Sequence, residues 1–297
     1  MKASTVTASI IIRTYNEERC LYECLDKVFK QTGESFEVIV VDSESTDNTV
    51  NIAKQFDVKL VSIPKKEFTY GRSLNVGCSA AKGEYLIFLS AHALPASNFW
   101  LSTLLRPLKE GAVGVYGKQL PATDANPLVT RFVTKTWNTK KSIEFIAFSN
   151  ANAAIKREFW KQIRFDENTS GGEDRLWARK IKHLGHAIKY SKEASVYHSH
   201  NDSLNQLYKR YLQDLTSDVA LHGFPIIFVH INNIFFNFAA DVVYIVRRSE
   251  SPMWIFYSLL THTIKLVAFF KCGVSYIFLP RKYSKNNILE TPEHKAE

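Results

Sequence analysis

Four short stretches place chemically capable side chains where apolar runs stop or a helical pattern starts. "YLIFLSAHALP" (85–95) is a buried-strand pattern that ends at Ser90, Ala91 and His92. "FEVIVVDSES" ends its own apolar run at Asp42 and Ser43, with hydroxyls following at Ser45 and Thr46. "GGEDR" sets Glu173 and Asp174 side by side at the start of a helical pattern, and "ASVYHSH" places His198 and His200 two apart on an extended segment. Each group has an ordinary structural reading beside a chemical one. A lone histidine at a strand end is satisfied by one backbone carbonyl, Thr46 or Asp47 caps the following helix, and an acid pair complements the positive end of a helix. Asp42 has no capping reason to stand at a strand tip, where an acid can accept from a nucleobase imide or a ribose hydroxyl. His198 and His200 can both point to one face. Glu173 and Asp174 are equally compatible with helix-end charge and with general-base catalysis.

The elements that must position these groups alternate. "TASIIIR", "FEVIVVD", "VKLVSIP" and "EYLIFLS" are apolar, β-branched runs. "NEERCLYECLDKVFKQ", "TDNTVNIAKQF" and "GRSLNVGCSAAKG" lie between them, with helical spacing or a loop entering a helix. Such alternation predicts an α/β fold, a Rossmann-like, mainly parallel sheet sandwiched by helices. Right-handed crossovers then bring the strand ends to one edge, where ligands bind. From 120 to 222 the pattern is mixed: a loop-rich "LPATDANPL", a short apolar "SNANAAIK", the acidic turn "FDENTSGGED", a helix from Glu173 and a polar helix from Ser203. The expected division is a domain over 1–222, with a nucleotide part to about 120 and an acceptor part over 121–222, followed by a C-terminal helical, partly amphipathic appendage over 223–297.

Composition narrows the partners. A net charge of +9 favours anionic ligands or surfaces. "RTYNEE" after the first strand has no glycine, and no Walker sequence occurs, which argues against a dinucleotide or triphosphate loop. A nucleotide sugar or mononucleotide remains. The two apolar stretches from Phe224 and Trp254 are interrupted by Asn232, Asn233, Asn237, Asp241, Lys265 and Lys271. They suit helices lying in the headgroup plane better than spans, with "VRR" and "PRKYSK" attracted to anionic lipid. Nucleic acid is not expected, because the aromatics gather in the apolar tail and not along a basic stripe. Four cysteines without framework spacing, and no N-terminal apolar leader, read as free thiols in a reducing cytosol.

"ASIIIRTYNEERCLYECLDKVFKQ", "FEVIVVDSESTDNTVNIA", "SLNVGCSAAKGEYLIFLSAHALP" and "FDENTSGGEDRLWARKIKHLGHAIKYSKEASVYHSH" together resemble a family 2 inverting glycosyltransferase of GT-A-type fold, over residues 7–215. "FTYGRSLNVG" and the order of "SNANA", "GGEDRLWA" and "VYHSH" are most similar to members that build bacterial surface polysaccharides, including rhamnosyltransferase-like enzymes. The resemblance implies that Thr14, Tyr15, Asn16 and Glu17 cradle the nucleotide and that Asp42, with Ser43 beside it, contacts the base. It also implies that Asn75 belongs to the nucleotide site, although Leu74 stands where an arginine often precedes it. Asp174 becomes the catalytic base and Glu173 its acidic neighbour. Ser90-Ala91-His92 occupies the place of the metal-binding D-x-D, and His198 that of a histidine completing the metal shell. With no aspartate there, His92, His198 and His200 are the expected ligands of a divalent metal, Mn²⁺ or less naturally Mg²⁺; hydrogen bonding to the diphosphate without metal is the other use of the same residues. The implied enzyme moves a hexosyl or deoxyhexosyl unit from a UDP- or dTDP-linked donor to a glycan or lipid-linked acceptor. It would be cytoplasmic and peripheral on the inner face of the plasma membrane. A non-catalytic sugar-nucleotide binder that has lost its metal site is the rival.

Overall fold

The computed structural model of the protein describes residues 6–146, 148–169, 171–200 and 202–278. It divides into two units, residues 1–169 with 173–200, and residues 170–172 with 201–297. In the first unit the strands are β1 (Ala8–Thr14), β2 (Phe36–Asp42), β3 (Val58–Ser62), β4 (Tyr85–Ser90), β5 (Leu94–Pro95), β6 (Gly114–Leu120), β7 (Asn152–Lys156) and β8 (Ile188–Tyr197). The helices are α1 (Leu21–Phe29), α2 (Thr49–Ala53), α3 (Tyr70–Ala80), α4 (Trp100–Lys109), α5 (Pro127–Asn138), α6 (Lys140–Ile146), α7 (Arg157–Gln162) and α8 (Glu173–His183). The strands form one sheet in the order β3-β2-β1-β4-β7-β6-β8-β5.

A strand buried on both faces is a continuous apolar run, and β1 shows how this works. Ile10 and Ile12 pack with Leu21, Leu25 and Trp100 on one face of the sheet. Ile11 packs with Ile39, Phe88 and Trp177 on the other. The helices therefore cover both faces, as expected. Parallel pairing sets Thr14 opposite Asp42 and Arg13 opposite Ser90, which delivers three of the chemically marked strand ends to one edge.

The sheet departs from the expected pattern at β7, which is antiparallel to both β4 and β6. This strand carries "NAAIK" in from the edge where β4 ends, so residues 149–151 lie beside Ser90, whose N–H donates to the Ala151 carbonyl at 3.2 Å. A register irregularity between Gly117 and Gln119 separates β6 from a regular ladder with β8 and re-aims Gln119. Gly117 is required there, because a Cβ would collide with the Ala194 carbonyl and the Asn152 amide. Asn152 uses that space to donate to the Lys118 and Ala194 carbonyls and to accept from Trp100 Nε1.

The second unit contains α9 (Leu204–His222), α10 (Ile226–Arg247) and α11 (Met253–Phe278). Ser203 and Gln206 form a capping box at the start of α9, and Gly223 ends it with φ +82°. Leu215 and Val219 of α9 share a core with Ile227 of α10 and Cys272 of α11. That packing moves the expected domain boundary from 222 to about 200: α9 belongs with the C-terminal helices, because its apolar face has its partners there. Two polar contacts also tie these helices, the part-buried pair of His230 with Asp218 at 2.8 Å and the buried Ser258 donating to Asp241 at 2.6 Å. The outer surface is apolar: Phe228, Phe235, Phe236, Met253, Phe256 and Phe270 are all more than half exposed. Both α10 and α11 are long and apolar enough to cross a membrane. The basic "PRKYSK" segment lies outside the described residues.

Candidate active site

The loops following β1 and β2 are built against each other. Thr14 Oγ1 donates to Asp42 Oδ1 at 3.0 Å, and the Ser45 N–H donates to Asp42 Oδ2 at 2.9 Å, so the buried carboxylate is fixed in orientation. Asn16 adopts φ 54° and Glu44 φ 58°. Two non-glycine residues in the left-handed region, one in each loop, are the kind of local cost that persists where geometry serves a site. Asn16 links the loops, its N–H donating to Ser45 Oγ and its Oδ1 accepting from the Thr46 N–H. Ser43 is buried, and its hydroxyl has no hydrogen-bond partner among the described residues. Tyr15 is 40% exposed, with the Lys65 ammonium 4.5 Å from its ring centre. Together they offer an aromatic face, a cation and a preset acid.

Glu17 is placed differently from the expected nucleotide cradle. Its Oε1 lies 3.1 Å from His92 Nδ1. A carboxylate only accepts, so Nδ1 carries a hydrogen, and Nε2 lies 3.2 Å from Ser90 Oγ. His198 is set in the same way, with Nδ1 2.9 Å from Gln119 Oε1 while Gln119 Nε2 donates to Ser149 Oγ. The His92 and His198 rings stack at 5.0 Å and 14°, and the His200 ring lies 4.8 Å from the first and 4.9 Å from the second. One nitrogen from each of the three comes within 4.8 Å of the others. Three clustered imidazoles, two with buttressed Nδ1–H groups, fit a divalent metal that accepts nitrogen ligands. Neither Glu17 nor Gln119 has a sequence signal for this buttressing role; it follows from the β6 irregularity and the left-handed Asn16 turn.

The acid pair sits at the start of α8, and the structure separates its members. Glu173 is only 4% exposed, with Arg13 Nη1 3.7 Å from its carboxylate. Burial and the neighbouring Asp174 charge push its pKa up to about 7, against the opposing pull of Arg13. Asp174 is half-buried and held by two N–H donors, Asn150 at 3.1 Å and Arg175 at 2.7 Å. Only Asp174 has the access a substrate-facing base needs; Glu173, expected beside it as catalytic, is a buried neighbour. The turn 149–151 joins the parts: Ser149 meets Gln119, the Asn150 N–H meets Asp174, and the Ala151 carbonyl meets Ser90. Asp174 and the imidazole cluster are thus braced by one three-residue turn.

The buried Glu173 makes a testable contribution to stability. Its proton affinity is higher in the folded state, so between pH 4.5 and about 7 the folded protein binds more protons, and stability falls as pH rises through that window. Glu173→Gln should therefore be more stable than wild type at pH 8, by on the order of 2 kcal/mol, with the difference shrinking towards pH 5 in urea titrations.

Asn75 corrects another expectation. It is 4% exposed, and its amide is filled by protein: Nδ2 donates to the Phe165 carbonyl and Glu167, and Oδ1 accepts from Trp160 Nε1 and the Phe165 N–H. Its work is to tie α3 to residues 165–167. Gly71 assists, because a Cβ there would strike the Asp166 carbonyl. Asn75→Ala would leave buried donors unpaired and should cost about 2–4 kcal/mol, read from the denaturation midpoint.

Comparison with known proteins now identifies the family. The model described as "Glycosyl transferase family 2" matches residues 9–165. The chain belongs to glycosyltransferase family 2. Among curated relatives it is 30% identical over 287 residues to the O-antigen chain rhamnosyltransferase WbaN of Salmonella anatum, covering 92% of this chain and 90% of the relative. It is 27% identical to the O-antigen chain rhamnosyltransferase RfbN of Salmonella typhimurium, covering 92% and 91%. The fold is shared with the mannosyltransferase PcManGT of Pyrobaculum calidifontis, solved with GDP-Man and Mn²⁺, at TM-score 0.61 and 19% identity over 91% of this chain and 87% of that one. It is also shared with glucosyl-3-phosphoglycerate synthase of Mycobacterium tuberculosis, solved with Mn²⁺ and UDP-Glc, at TM-score 0.56 and 22% identity over 72% and 78%. This family 2 protein is thus a glycosyltransferase, and the two neighbours solved with Mn²⁺ each have its fold.

Proposed function

We propose that this glycosyltransferase transfers a rhamnosyl unit, with inversion, from a nucleoside diphosphate donor to a hydroxyl of a growing, lipid-linked surface glycan. The observation that carries the reading is the brace at 149–151, which joins a held, half-buried Asp174 to the imidazole cluster. The rhamnosyltransferase relatives, matched over nine-tenths of the chain, favour the sugar and the glycan.

In the proposed step the acceptor oxygen forms a bond to the anomeric carbon on the face opposite the diphosphate. The bond from that carbon to the diphosphate oxygen breaks, its electron pair leaving with the nucleoside diphosphate. Asp174 takes the acceptor proton as charge leaves the attacking oxygen. Asp42 and Tyr15 hold the nucleotide by its polar edge and its ring. His92, His198 and His200 would hold a divalent metal, which when bound neutralises charge on the leaving diphosphate. The test is a panel of UDP-, GDP- and dTDP-sugars screened for thermal protection and donor turnover, with the product's anomeric configuration read by NMR. Protection by dTDP-rhamnose is expected; a different preferred sugar would overturn the rhamnosyl assignment.

The exposed aromatic face of α10 and α11, with Arg247 and Arg248 exposed at the end of α10, supports residence at the anionic cytoplasmic face of a membrane. Co-flotation with vesicles containing anionic lipid, reduced by Phe235→Ser with Phe236→Ser, is the expected result. Equal recovery of both proteins without vesicles would remove that placement.

A further inference from the structure

The chain leaves the first unit over 170–172 and re-enters it at Glu173, the residue before the base. Those three residues belong with the C-terminal helices, and Gly171 and Gly172 are the last two before α8. Gly172 takes φ +73°, so this entry has neither side chains nor a preferred backbone shape to stiffen it. The Asp174 carboxylate is held by the Asn150 and Arg175 N–H groups, but its backbone, in the first turn of α8, depends also on the chain that enters it. The stiffening comes from α9. Ser217, buried on that helix, donates from Oγ to the Gly171 carbonyl at 2.9 Å. Gln213 stands one turn earlier on the same face, and a Cβ on Gly171 would collide with its amide. A hydroxyl inside a helix can bond back to the carbonyl four residues earlier. The neighbouring Thr216 does so, donating to the Leu212 carbonyl at 2.7 Å, whereas Ser217 gives its hydrogen to the entry of α8. The helix α9 is itself tied down: Asp218 meets His230 of α10 at 2.8 Å, and Leu215 and Val219 share a core with Ile227 and Cys272.

We propose that Ser217 is a positioning residue for the base: by holding the Gly171 carbonyl it fixes the glycine entry to α8, and so the place of Asp174, from the C-terminal unit. Displacing a reacting group by about 1 Å can cost on the order of 10²-fold in rate, and two successive glycines allow such a displacement at little conformational cost. The C-terminal helices then serve the chemistry as well as any bilayer, because the helix they hold in place carries the hydroxyl that steadies the base. The inference rests on the proposed glycosyl transfer with Asp174 as base.

Ser217→Ala removes the hydroxyl and leaves a better helix former in its place. In the full chain, donor turnover with dTDP-rhamnose as probe should fall about 10- to 100-fold, with KM for the donor within about threefold. The melting temperature should stay within about 3 °C of wild type. Amide hydrogen exchange over 172–175 should quicken in the same variant, a readout that needs no activity. Ser217→Thr, which keeps an Oγ donor, should recover most of the turnover. Thr216→Ala, which loses a bond within its own helix, should stay within about twofold of wild type. In an Asp174→Asn background Ser217→Ala should add little further loss, because both changes act through one base. Gln213→Ala, at the other side chain against Gly171, is read the same way if alanine at 217 does not fold. A fall in turnover matched by lost stability and not recovered by threonine would make Ser217 merely structural, and wild-type turnover and exchange in Ser217→Ala would also overturn the proposal. A wild-type enzyme inert towards every nucleotide sugar would take down the proposed function and this inference together, whereas an active wild type with unaffected variants removes Ser217 alone.

Discussion

Asp174→Asn should lose about 10²–10⁴-fold in turnover while binding the nucleotide sugar within a few-fold of wild type. The substitution keeps shape and removes the ability to take a proton. Asp174 accepts from the Asn150 and Arg175 N–H groups with its two oxygens. An asparagine can satisfy only one of them, so a local cost of about 1–2 kcal/mol is expected in stability, well short of unfolding a core that Leu176, Trp177 and Ile181 anchor from the same helix. Donor affinity should survive because Asp174 is linked to the Ser90–His92 end of the site through the turn 149–151 and, among the described residues, does not itself bond to that end. Single-turnover transfer and a parallel nucleotide-sugar titration separate the two effects. Loss of binding in proportion to turnover would make Asp174 a ligand for the donor, and wild-type turnover would remove it as the base.

The parts of this site legible in the sequence are those fixed by strand ends. Apolar runs determine where β1, β2 and β4 stop, so hydropathy and alternation alone are enough to put Thr14, Asp42, Ser90 and His92 on one edge, where the parallel registers do set the three strand ends. The acid pair is legible for a similar reason, since α8 begins at Glu173. Residues that act through the tertiary path of the chain are not legible. Gln119 owes its aim to the irregularity after Gly117, and β7 runs antiparallel because of how the chain re-enters the sheet; no local pattern encodes either. Position in the chain points Glu17 and Asn75 to the nucleotide, yet the left-handed Asn16 turns Glu17 to His92, and α3 directs Asn75 at Phe165. One unexpected element does carry a signal. The end of "LPATDANPL" already opens a helix, from Pro127, with Asn126 as its cap and proline at the first position, a start signature present in the sequence. The domain boundary moves because the polar pattern of α9 conceals Leu215 and Val219, whose partners lie on helices further along.

The imidazole cluster gives the other large effect. His198→Ala removes one ring of a set in mutual contact and should weaken divalent-metal binding more than about 100-fold, whereas Gln119→Leu, which touches no metal, should weaken it by about 10- to 100-fold. The second figure is the informative one. Gln119 Oε1 keeps the hydrogen of His198 on Nδ1; without that acceptor the ring is free to carry its hydrogen on Nε2 or to rotate, and its ligand lone pair is no longer aimed. Glu17→Gln should act on His92 in the same direction. Three imidazoles in place of carboxylates also set an order among metals, with Co²⁺ and Zn²⁺ above Mn²⁺ and Mg²⁺ weakest, because nitrogen ligands favour the later first-row ions and Mg²⁺ demands oxygen. Calorimetric titration of each metal into the nucleotide-free protein, and the visible spectrum of the Co²⁺ form, report this without an activity assay. If Mg²⁺ binds as tightly as Co²⁺ and neither His198→Ala nor Gln119→Leu alters it, these rings do not hold the metal, and only when protonated on the second ring nitrogen as well do they donate hydrogen bonds to the diphosphate.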